Sequence, residues 1–485
     1  MDNETRDISD PDRWGLPMEA IAHLGDRLQS FWERFRGCFK TKPRDGSGHA
    51  WTYLRGLLLM QRGRNFANIE RRVSGPERDG QNLQQFMSDS PWPAQLPIQQ
   101  VQQEIASTPG WAQGGVLLLD ESAEEKAGAK SAGAGRQHNG RLGKVEMSQV
   151  GVFLAYYKAP VWTWVDGELY LPKHWFAPEL ADARRRVGVP AEREFATKIA
   201  LGWRMIQRAK VPFEAVAGDD LYGRSGWLRH QLDQAGLLYM AEIPEDSRVY
   251  LTKPAFGLPP SDPDTPGRPF TRPQVLSDAK PVAVRQIVSH PDTHFQRFQV
   301  RATERGILDD PFAMRRVWTI RDDELAEESL VIRHEYDTRY TYALSNAPAD
   351  TTHERLAWLK CVRHFVERSN QDAKSETGWD EFQAQKYRAW EHQLALTILA
   401  TWCIAQTKYD WANTHARDPQ LAHQMELEAL PALSVANVRE LLQAVMPLPQ
   451  LSPEQAIHLV VKHLVNRSCS TRSRLQAQRT ARGPT

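Results

Sequence analysis

The stretch from Val362 to Glu376 has the spacing of charged and polar residues that could most readily do chemistry. If it forms a helix, four side chains fall at i, i+4, i+7 and i+11 and lie along one side: Arg363, Glu367, Asn370 and Lys374. A carboxylate held between an arginine and a lysine on a rigid helix suits a metal ion that bridges to a phosphate. The same spacing is also typical of a ladder of ion pairs on a solvated surface. Acids far upstream favour the first interpretation.

These upstream acids follow short apolar runs that are typical of buried strands in an α/β sheet. Asp120 ends one run, and Asp219 and Asp220 follow another. Because α/β proteins build their sites at the carboxyl ends of sheet strands, Asp120, Asp219 and Glu367 are candidate carboxylates of one domain. The predicted strands are 116–120, 147–157, 161–165, 213–218 and 237–242, and the last also ends in an acid.

Three carboxylates suit Mg²⁺, which needs hard oxygen ligands but keeps most of its water, so that one or two carboxylates per ion suffice. Two ions about 3.5–4 Å apart can activate a water or a 3′-hydroxyl and stabilise the leaving oxygen during in-line attack on phosphorus. The protein then supplies nothing covalent, and no Ser/His/Asp triad, Cys/His pair or Walker loop is evident. Glu121 and Asp220 adjoin the chosen acids and could exchange roles with them. Glu376 is a weaker candidate than Glu367, because it lies off the predicted helical face.

A glycine- and alanine-rich stretch, residues 127–143, follows the first predicted strand. Its glycines would let backbone N–H groups approach a phosphate closely, and no acid interrupts the basic residues around it. A flexible exposed loop would have the same composition. The candidate DNA contacts here are Lys126, Lys130, Arg136, Arg141 and Lys144.

The N-terminal part, from about residue 14 to 107, is predicted to be helical. Two short helices, 51–61 and 65–73, have the size of a helix-turn-helix unit. Such a unit could bind duplex DNA, although short helix pairs are common in proteins that do not. The candidate contacts on it are Arg62, Arg64, Arg71 and Arg72.

The composition limits the remaining options. A chain of 485 residues should hold roughly three domains, and the formal net charge of +1 predicts no polyanionic partner from bulk charge alone. Four scattered cysteines without a C-x-x-C pattern favour a reducing compartment and argue against structural zinc. The acidic N-terminus is unlike a signal peptide, and no apolar stretch is long enough to cross a bilayer. We expect a cytoplasmic protein.

Prolines cluster after residue 244, and alternating segments then predict an antiparallel, β-rich insertion. Beyond it, a largely buried helix is predicted over 387–403. Two capped helices are predicted to begin at Ser434 and Ser452, and the arginine-rich end from residue 467 is predicted to be disordered. The strands predicted in the insertion are 282–289, 295–303, 314–321 and 330–344.

Several segments, in order, resemble the DDE transposases of bacterial insertion sequences, in the cut-and-paste branch marked by a Tyr-Arg-Glu-Lys signature. The resemblance extends from about residue 32 to 405. The last match is Arg363-x3-Glu367-x6-Lys374, which has the family's spacing. The segments before it are Leu-Leu-Leu-Asp-Glu-Ser (117–122), Gly-Ala-Gly-Arg-Gln-His-Asn-Gly-Arg-Leu-Gly-Lys-Val-Glu (133–146), Leu-Tyr-Leu-Pro-Lys-His-Trp (169–175), Ala-Gly-Asp-Asp-Leu-Tyr-Gly (217–223) and Leu-Ser-Asn-Ala-Pro (344–348).

The resemblance implies an α/β ribonuclease-H-like catalytic core interrupted by a β-rich insertion, with helical N-terminal and C-terminal regions. It implies that Asp120, Asp219 and Glu367 bind two Mg²⁺ ions, which Mn²⁺ could replace, and that Arg363 and Lys374 contact DNA phosphates. The implied domains are a helical DNA-binding domain (1–110), the core in two parts (111–243 and 351–410), the insertion (244–350) and a helical C-terminal region with a basic tail (411–485).

The activity implied is transposition. Such a protein binds the terminal inverted repeats of its element as a homodimer on double-stranded DNA, cleaves the ends and joins the 3′ ends to target DNA. The family pattern places an acid three residues before Tyr222, which favours Asp219 over Asp220. It makes Tyr222 and His138 supporting residues. The signature tyrosine would fall at position 360, which is Lys360, so a hairpin intermediate does not follow from the resemblance.

Two other functions fit the same residues. One is a DNA-binding protein descended from a transposase, without strand transfer. The other is a stand-alone metal-dependent nuclease, which would cut without end preference and yield no joined product.

Overall fold

The computed structural model describes residues 22–415, apart from Pro43 and residues 141–142, 261–269, 304–305 and 336–338. It also describes 433–449 and scattered positions from 452 to 476. The chain divides into two compact units. The first comprises Met1–Ala94, Lys374–Ala384 and Asp410–Thr485, and the second comprises Gln95–Ala373 and Gln385–Tyr409. The helix predicted from Ser452 and the basic tail fall mostly outside the described residues.

The elements are numbered here in chain order. The helices are α1 (Leu24–Phe35), α2 (Ser47–Leu59), α3 (Phe66–Val73), α4 (Gln81–Ser88), α5 (Gln95–Ser107), α6 (Ala181–Val187), α7 (Lys198–Arg208), α8 (Asp220–Gly223), α9 (Gly226–Gln234), α10 (Val284–Ile287), α11 (His353–Val362), α12 (His364–Ser375), α13 (Tyr387–His415) and α14 (Val435–Val445). The strands are β1 (Val116–Glu125), β2 (Gly135–Asn139), β3 (Lys144–Lys158), β4 (Val161–Tyr170), β5 (Ala215–Gly218), β6 (Leu238–Ile243), β7 (Arg248–Val249), β8 (Phe256–Gly257), β9 (Gln274–Val275), β10 (Val282–Ala283), β11 (Gln296–Thr303), β12 (Gly306–Arg321), β13 (Glu324–Glu335) and β14 (Arg339–Ser345). Short 3-10 turns occupy Arg36–Phe39, Lys173–Phe176, Pro178–Leu180 and Trp379–Glu381.

Helices make up the first unit, and they include the predicted helix pair as α2 and α3. The two pack closely at Gly56, because a Cβ there would lie 2.5 Å from the Ile69 side chain. Asn65 begins α3 as its N-cap, since its Oδ1 accepts a hydrogen bond from the backbone N–H of Asn68 at 2.9 Å. The prediction of two helices here is confirmed, and duplex binding by them stays a prediction.

Arg64, between these two helices, is an interior residue, and the prediction that it contacts DNA is wrong. Its side chain is only 1% exposed, and its Nη1 pairs with Glu381 Oε1 at 2.7 Å. Its Nε donates to the Met60 carbonyl at 2.9 Å and its Nη2 to the Glu376 carbonyl at 3.1 Å. A buried guanidinium must be paired in this way, so it cannot reach a phosphate.

A ten-stranded mixed sheet forms the centre of the second unit, in the order β11-β12-β13-β14-β6-β5-β1-β3-β2, with β4 also paired to β3. β1, β5 and β6 are parallel to one another, and the other neighbours in this sheet are antiparallel. The apolar runs predicted as buried strands form β1, β3, β4, β5 and β6. β1 is fully buried over its first four residues, as expected for strands covered on both faces.

The strands of the predicted insertion are not all separate from this sheet. β14 pairs antiparallel with β6, Leu344 opposite Ala241, so β11 to β14 extend the central sheet. Among the described strands of this region, the pairs β7–β10 and β8–β9 form small sheets of their own. The extension occurs because β13 and β14 carry apolar side chains that share a core with β6, including Leu330, Ile332 and Ile243.

Two strand predictions in this region are wrong. Residues 282–289 contain only the two-residue strand β10, followed by the helix α10. The helix forms because Val284 and Ile287, three residues apart, both point into the same buried cluster. Residues 330–344 are not one strand but parts of β13 and β14, which pair with Ser329 opposite Ser345.

Two further predicted boundaries differ from the structure. α5 was predicted to lie with the N-terminal helices but belongs to the second unit. Gln102 of α5 donates to the Val165 carbonyl of β4 at 2.8 Å, and Glu104 accepts from the Trp402 indole at 2.8 Å. The glycine-rich stretch is also not one loop, because it contains β2, which pairs with β3.

The four cysteines are all free, and only Cys469 is exposed. No helix of the described part combines the length and the apolarity that a membrane span requires.

Candidate active site

The candidate active site begins where the parallel pairing of β1, β5 and β6 ends, although β1 itself continues to Glu125. β1 and β5 place Leu119 beside Gly218, and β5 and β6 place Gly218 beside Ala241. The residue that follows each of these is an acid. We call these three acids the acid row: Asp120, Asp219 and Glu242. Because adjacent strands lie about 4.8 Å apart, the row spans roughly 10 Å across the sheet.

Helix α12 brings the predicted helical face to one end of this row. Asn370 donates from Nδ2 to Asp120 Oδ2 at 3.0 Å, and its Oδ1 accepts from the Trp164 indole at 2.9 Å. Glu367 lies three residues before Asn370, about 4.5 Å along the helix axis. The predicted helix is therefore confirmed, and it carries Glu367 to within one turn of a residue that binds Asp120.

Arg363 is the cation shared by these acids. Its Nη2 pairs with Glu367 Oε1 at 2.5 Å, and its Nε pairs with Glu242 Oε2 at 2.6 Å. Burial by itself would lower the pKa of Arg363. The carboxylates of the acid row and of Glu367 outweigh that effect and raise the pKa of Arg363 above its usual range. Arg363 thus stays charged in the middle of the candidate site.

The two aspartates bind protons more tightly than ordinary carboxylates. Burial, followed by the negative charge of Asp219, raises the pKa of Asp120 to about 8. Burial, followed by the charge of Glu121, raises the pKa of Asp219 to about 6. The positive charge of Arg363 lowers both values but does not cancel the rise. Burial and the repulsion between neighbouring acids therefore disfavour the charged form of both aspartates, and a bound cation would favour it.

Asp219 is also held in position by the backbone of a short helix. It is the N-cap of the short helix α8, and its Oδ1 accepts hydrogen bonds from the backbone N–H groups of Leu221 and Tyr222 at 3.1 and 3.4 Å. Helix α8 lies against β6 because residue 223 is glycine. A Cβ on Gly223 would lie 1.7 Å from the Glu242 carbonyl oxygen. The segment that carries Asp219 is thereby packed against the strand that carries Glu242.

Hard oxygen donors at this site fit a divalent cation such as Mg²⁺, for which one or two carboxylates per ion are enough. Two buried oxygens next to the aspartates, Glu121 Oε2 and Tyr222 Oη, have no hydrogen-bond partner among the described residues. Buried polar atoms are rarely left without a partner, so these two indicate room for a bound cation or its waters. In the described part of the chain, however, no three His, Cys, Asp or Glu side chains already converge as a metal site.

Glu367 does not converge with the two aspartates. Its side chain is 53% exposed and is paired with Arg363, whereas Asp120 is held by Asn370. Asp120 and Asp219 are therefore the residues that would hold a cation in this arrangement, and Glu367 would have to exchange partners to join them.

The neighbouring acids that could exchange roles differ in their surroundings. Glu121 is partly buried and pairs with Lys198 of α7 at 2.6 Å, and its negative charge contributes to the raised pKa of Asp219. Asp220 is exposed and pairs with Arg224 at 3.1 Å. Glu376 pairs with Arg439 at 2.6 Å within the first unit. Neither Asp220 nor Glu376 has a partner in the acid row.

The basic residues predicted to bind DNA are exposed to different degrees. Lys130 and Arg136 are exposed, Lys126 and Lys374 are partly buried, and Lys144 is exposed and lies 3.6 Å from Glu146. Arg141 lies outside the described residues.

On the helix pair, Arg62 and Arg72 are exposed, and Arg71 donates to Asn68 at 2.7 Å. Of the supporting residues, His138 is exposed on β2 and Tyr222 is buried beside the aspartates. All of these DNA contacts, Arg64 excepted, stay predictions.

Sequence reasoning missed three participants: Glu242, Lys198 and the role of Asn370. Glu242 was visible as an acid at the end of a predicted strand, but only the register shows that it aligns with Asp219. Asn370 was placed on the correct helical face, and its spacing gave no sign that it binds Asp120. Lys198 had no sequence signal, because its partner Glu121 lies 77 residues away.

Comparison with known proteins adds an independent finding. A family model described as a DDE superfamily endonuclease matches residues 34–307, more than half of the chain. The matched span contains Asp120, Asp219 and Glu242, and it ends before Arg363 and Glu367. The chain matches none of the curated proteins with which it was compared.

Proposed function

Because the chain belongs to the DDE superfamily endonucleases, we propose that it is a DNA transposase that cleaves the ends of its own element and joins them to target DNA. The observation that carries this proposal is the pair of partly buried acids, Asp120 and Asp219, with α12 held against Asp120 by Asn370. Because both acids hold their protons tightly, a cation that they bind would have to displace those protons before the site can act on a phosphodiester.

We assign Asp120 and Asp219 as ligands of the cation, with Glu367 as the third ligand once it leaves Arg363. Bound Mg²⁺ or Mn²⁺ would activate a water or 3′-hydroxyl nucleophile and stabilise the leaving oxygen. Asn370 keeps Asp120 oriented, and the α8 backbone keeps Asp219 oriented. The chain provides fixed geometry and charge, which is most of what phosphoryl transfer requires.

In this proposal, Arg363 and Lys374 bind phosphates near the cleaved strand. Arg363 has no hydrogen-bond partner for Nη1 among the described residues, so this nitrogen can donate to a phosphate oxygen. The exposed Arg62, Arg72 and Arg136 would bind the transposon end by charge, which positions the DNA without reading its sequence. The active form is a homodimer on double-stranded DNA in the bacterial cytoplasm.

The test begins with the DNA that flanks the reading frame, where matched inverted repeats should lie. A duplex with one repeat should be shifted by the protein in EDTA, cut at the repeat boundary with Mg²⁺ or Mn²⁺, and joined to a target plasmid. A scrambled repeat of equal length is the control. Binding without any cutting would instead identify a transposase-derived DNA-binding protein. Cutting without end preference or joined product would identify a nuclease.

A further inference from the structure

Glu242 belongs to the acid row but is not one of the residues assigned to bind the cation. It occupies the position next to Asp219 in the register of β5 and β6, yet it faces two cations. Lys360 Nζ lies 2.5 Å from its Oε1, and Arg363 Nε lies 2.6 Å from its Oε2. Although burial acts the other way, these two charges hold the pKa of Glu242 below its usual range. Both oxygens of Glu242 are paired with cations, whereas the two hydrogen bonds that Asp120 accepts come from uncharged donors, the Glu121 backbone N–H and Asn370.

Among the described residues, the partner of the Lys360 side chain is Glu242. Its side chain is only 1% exposed, and its ammonium group reaches Glu242. A buried ammonium group requires a counter-charge. Lys360 therefore balances the negative charge of Glu242, so that Arg363 can pair with Glu242 and Glu367 together.

The guanidinium of Arg363 is a rigid planar fork, so the contact at one nitrogen decides where the others point. Glu242 binds the Nε edge, which leaves Nη2 facing Glu367 and Nη1 without a partner among the described residues. Without Glu242, the same charged group would be free to turn toward Asp120 and Asp219, where it would compete with a divalent cation.

We propose that Glu242 is a positioning residue that holds Arg363 by its Nε edge, and that Lys360 compensates its charge. This inference rests on the proposed function, because it assigns Glu242 a role in presenting Arg363 to the phosphate and in keeping Arg363 away from the metal-binding aspartates.

The experiment separates positioning from ordinary structural support. Glu242→Gln removes the charge that holds Arg363, and the double variant Glu242→Gln/Lys360→Met also removes the buried lysine left unpaired by the first change. The matched control is Asp233→Asn/Arg321→Met, which removes a second pair, 2.9 Å apart, whose arginine is also largely buried. Each protein is measured for urea unfolding, Mn²⁺ affinity without DNA by electron paramagnetic resonance, and cleavage of the repeat duplex.

We expect Glu242→Gln to unfold at lower urea concentration and the double variant to recover most of that loss, since replacing both partners of a buried pair is often nearly neutral. The double variant should still bind Mn²⁺ several-fold more weakly and cleave at least tenfold more slowly, mainly through kcat. The control pair should change Mn²⁺ affinity and cleavage by less than about twofold, because the partners of Asp233 and Arg321 are each other, Asn346 and Tyr239, none of which belongs to the acid row.

Recovery of stability, Mn²⁺ affinity and cleavage together in the double variant would overturn the positioning role, because a structural ion pair predicts that outcome. If the unaltered protein neither binds Mn²⁺ nor cleaves the duplex, the proposed function itself is overturned. The two failures are therefore distinguishable by the behaviour of the unaltered chain.

Discussion

Two groups of acids in the second unit differ in how fully the surrounding protein supplies their hydrogen bonds. Glu328, on β13, is fully buried, and both of its oxygens accept hydrogen bonds: Oε1 from Arg229 and Tyr239, and Oε2 from Thr319. Around Asp120 and Asp219, by contrast, Glu121 Oε2 and Tyr222 Oη lack partners among the described residues. An acid that supports the fold has its hydrogen bonds supplied by the protein, whereas the aspartate site keeps unused hydrogen-bonding capacity beside it.

The largest expected effect comes from neutralising one aspartate. Asp120→Asn or Asp219→Asn should lower cleavage of the repeat duplex by at least about a thousandfold, because a lost metal ligand removes several kcal/mol of transition-state stabilisation. Binding of the duplex in EDTA should not change. Asp220→Asn is the matched control, since Asp220 is exposed and paired with Arg224. Cleavage by Asp219→Asn at the unaltered rate would remove Asp219 from the site.

The satisfied acid should show the opposite pattern. Glu328→Ala leaves the buried Arg229 without its counter-charge and should reduce the free energy of unfolding by about 3–5 kcal/mol. Urea unfolding measures this loss. If the variant remains folded at low temperature, it should bind the repeat duplex as tightly as the unaltered chain. A stable Glu328→Ala protein would contradict the distinction between the two groups.

The stability of the folded chain should depend on pH through Asp120. The pKa of Asp120, about 8 in the folded chain, lies above its value in an unfolded chain. The folded state then holds more protons between about pH 4 and 8, so stability should fall as the pH rises through that window. Asp120→Asn should flatten this part of the stability curve, as urea unfolding at pH 5, 6.5 and 8.5 would show.

A divalent cation should reverse that dependence, because protons compete with it for the same carboxylates. Mn²⁺ at a fixed concentration should therefore raise the unfolding midpoint of the unaltered chain more at pH 8.5 than at pH 6. Asp120→Asn should lose most of this gain. An equal gain at both pH values in the unaltered chain would mean that the cation binds elsewhere.

The parts of the site that the sequence predicted are those with local signals. Asp120 and Asp219 could be found because each follows a short apolar run, and the face of α12 follows from helical spacing alone. The alignment of Glu242 with Asp219, and the pairing of β14 with β6, depend on register between distant segments, which composition does not encode. Arg64 shows the same limit, because its partner Glu381 is 317 residues away and nothing near Arg64 indicates burial.

The smallest expected effect concerns the exposed arginines, and it extends the contrast from acids to bases. Arg62 and Arg72 are exposed, whereas Arg64 is buried and paired. If the first two each neutralise one phosphate, Arg62→Gln or Arg72→Gln should lower the slope of log K against log salt by about 0.9 and weaken repeat and scrambled duplexes alike. Arg64→Gln should instead lower the unfolding midpoint, because Glu381 loses its partner. If Arg64→Gln is fully stable and has a reduced salt slope, Arg64 contacts DNA in spite of its burial. If the slope is unchanged for Arg62→Gln and Arg72→Gln, the DNA binds to another surface.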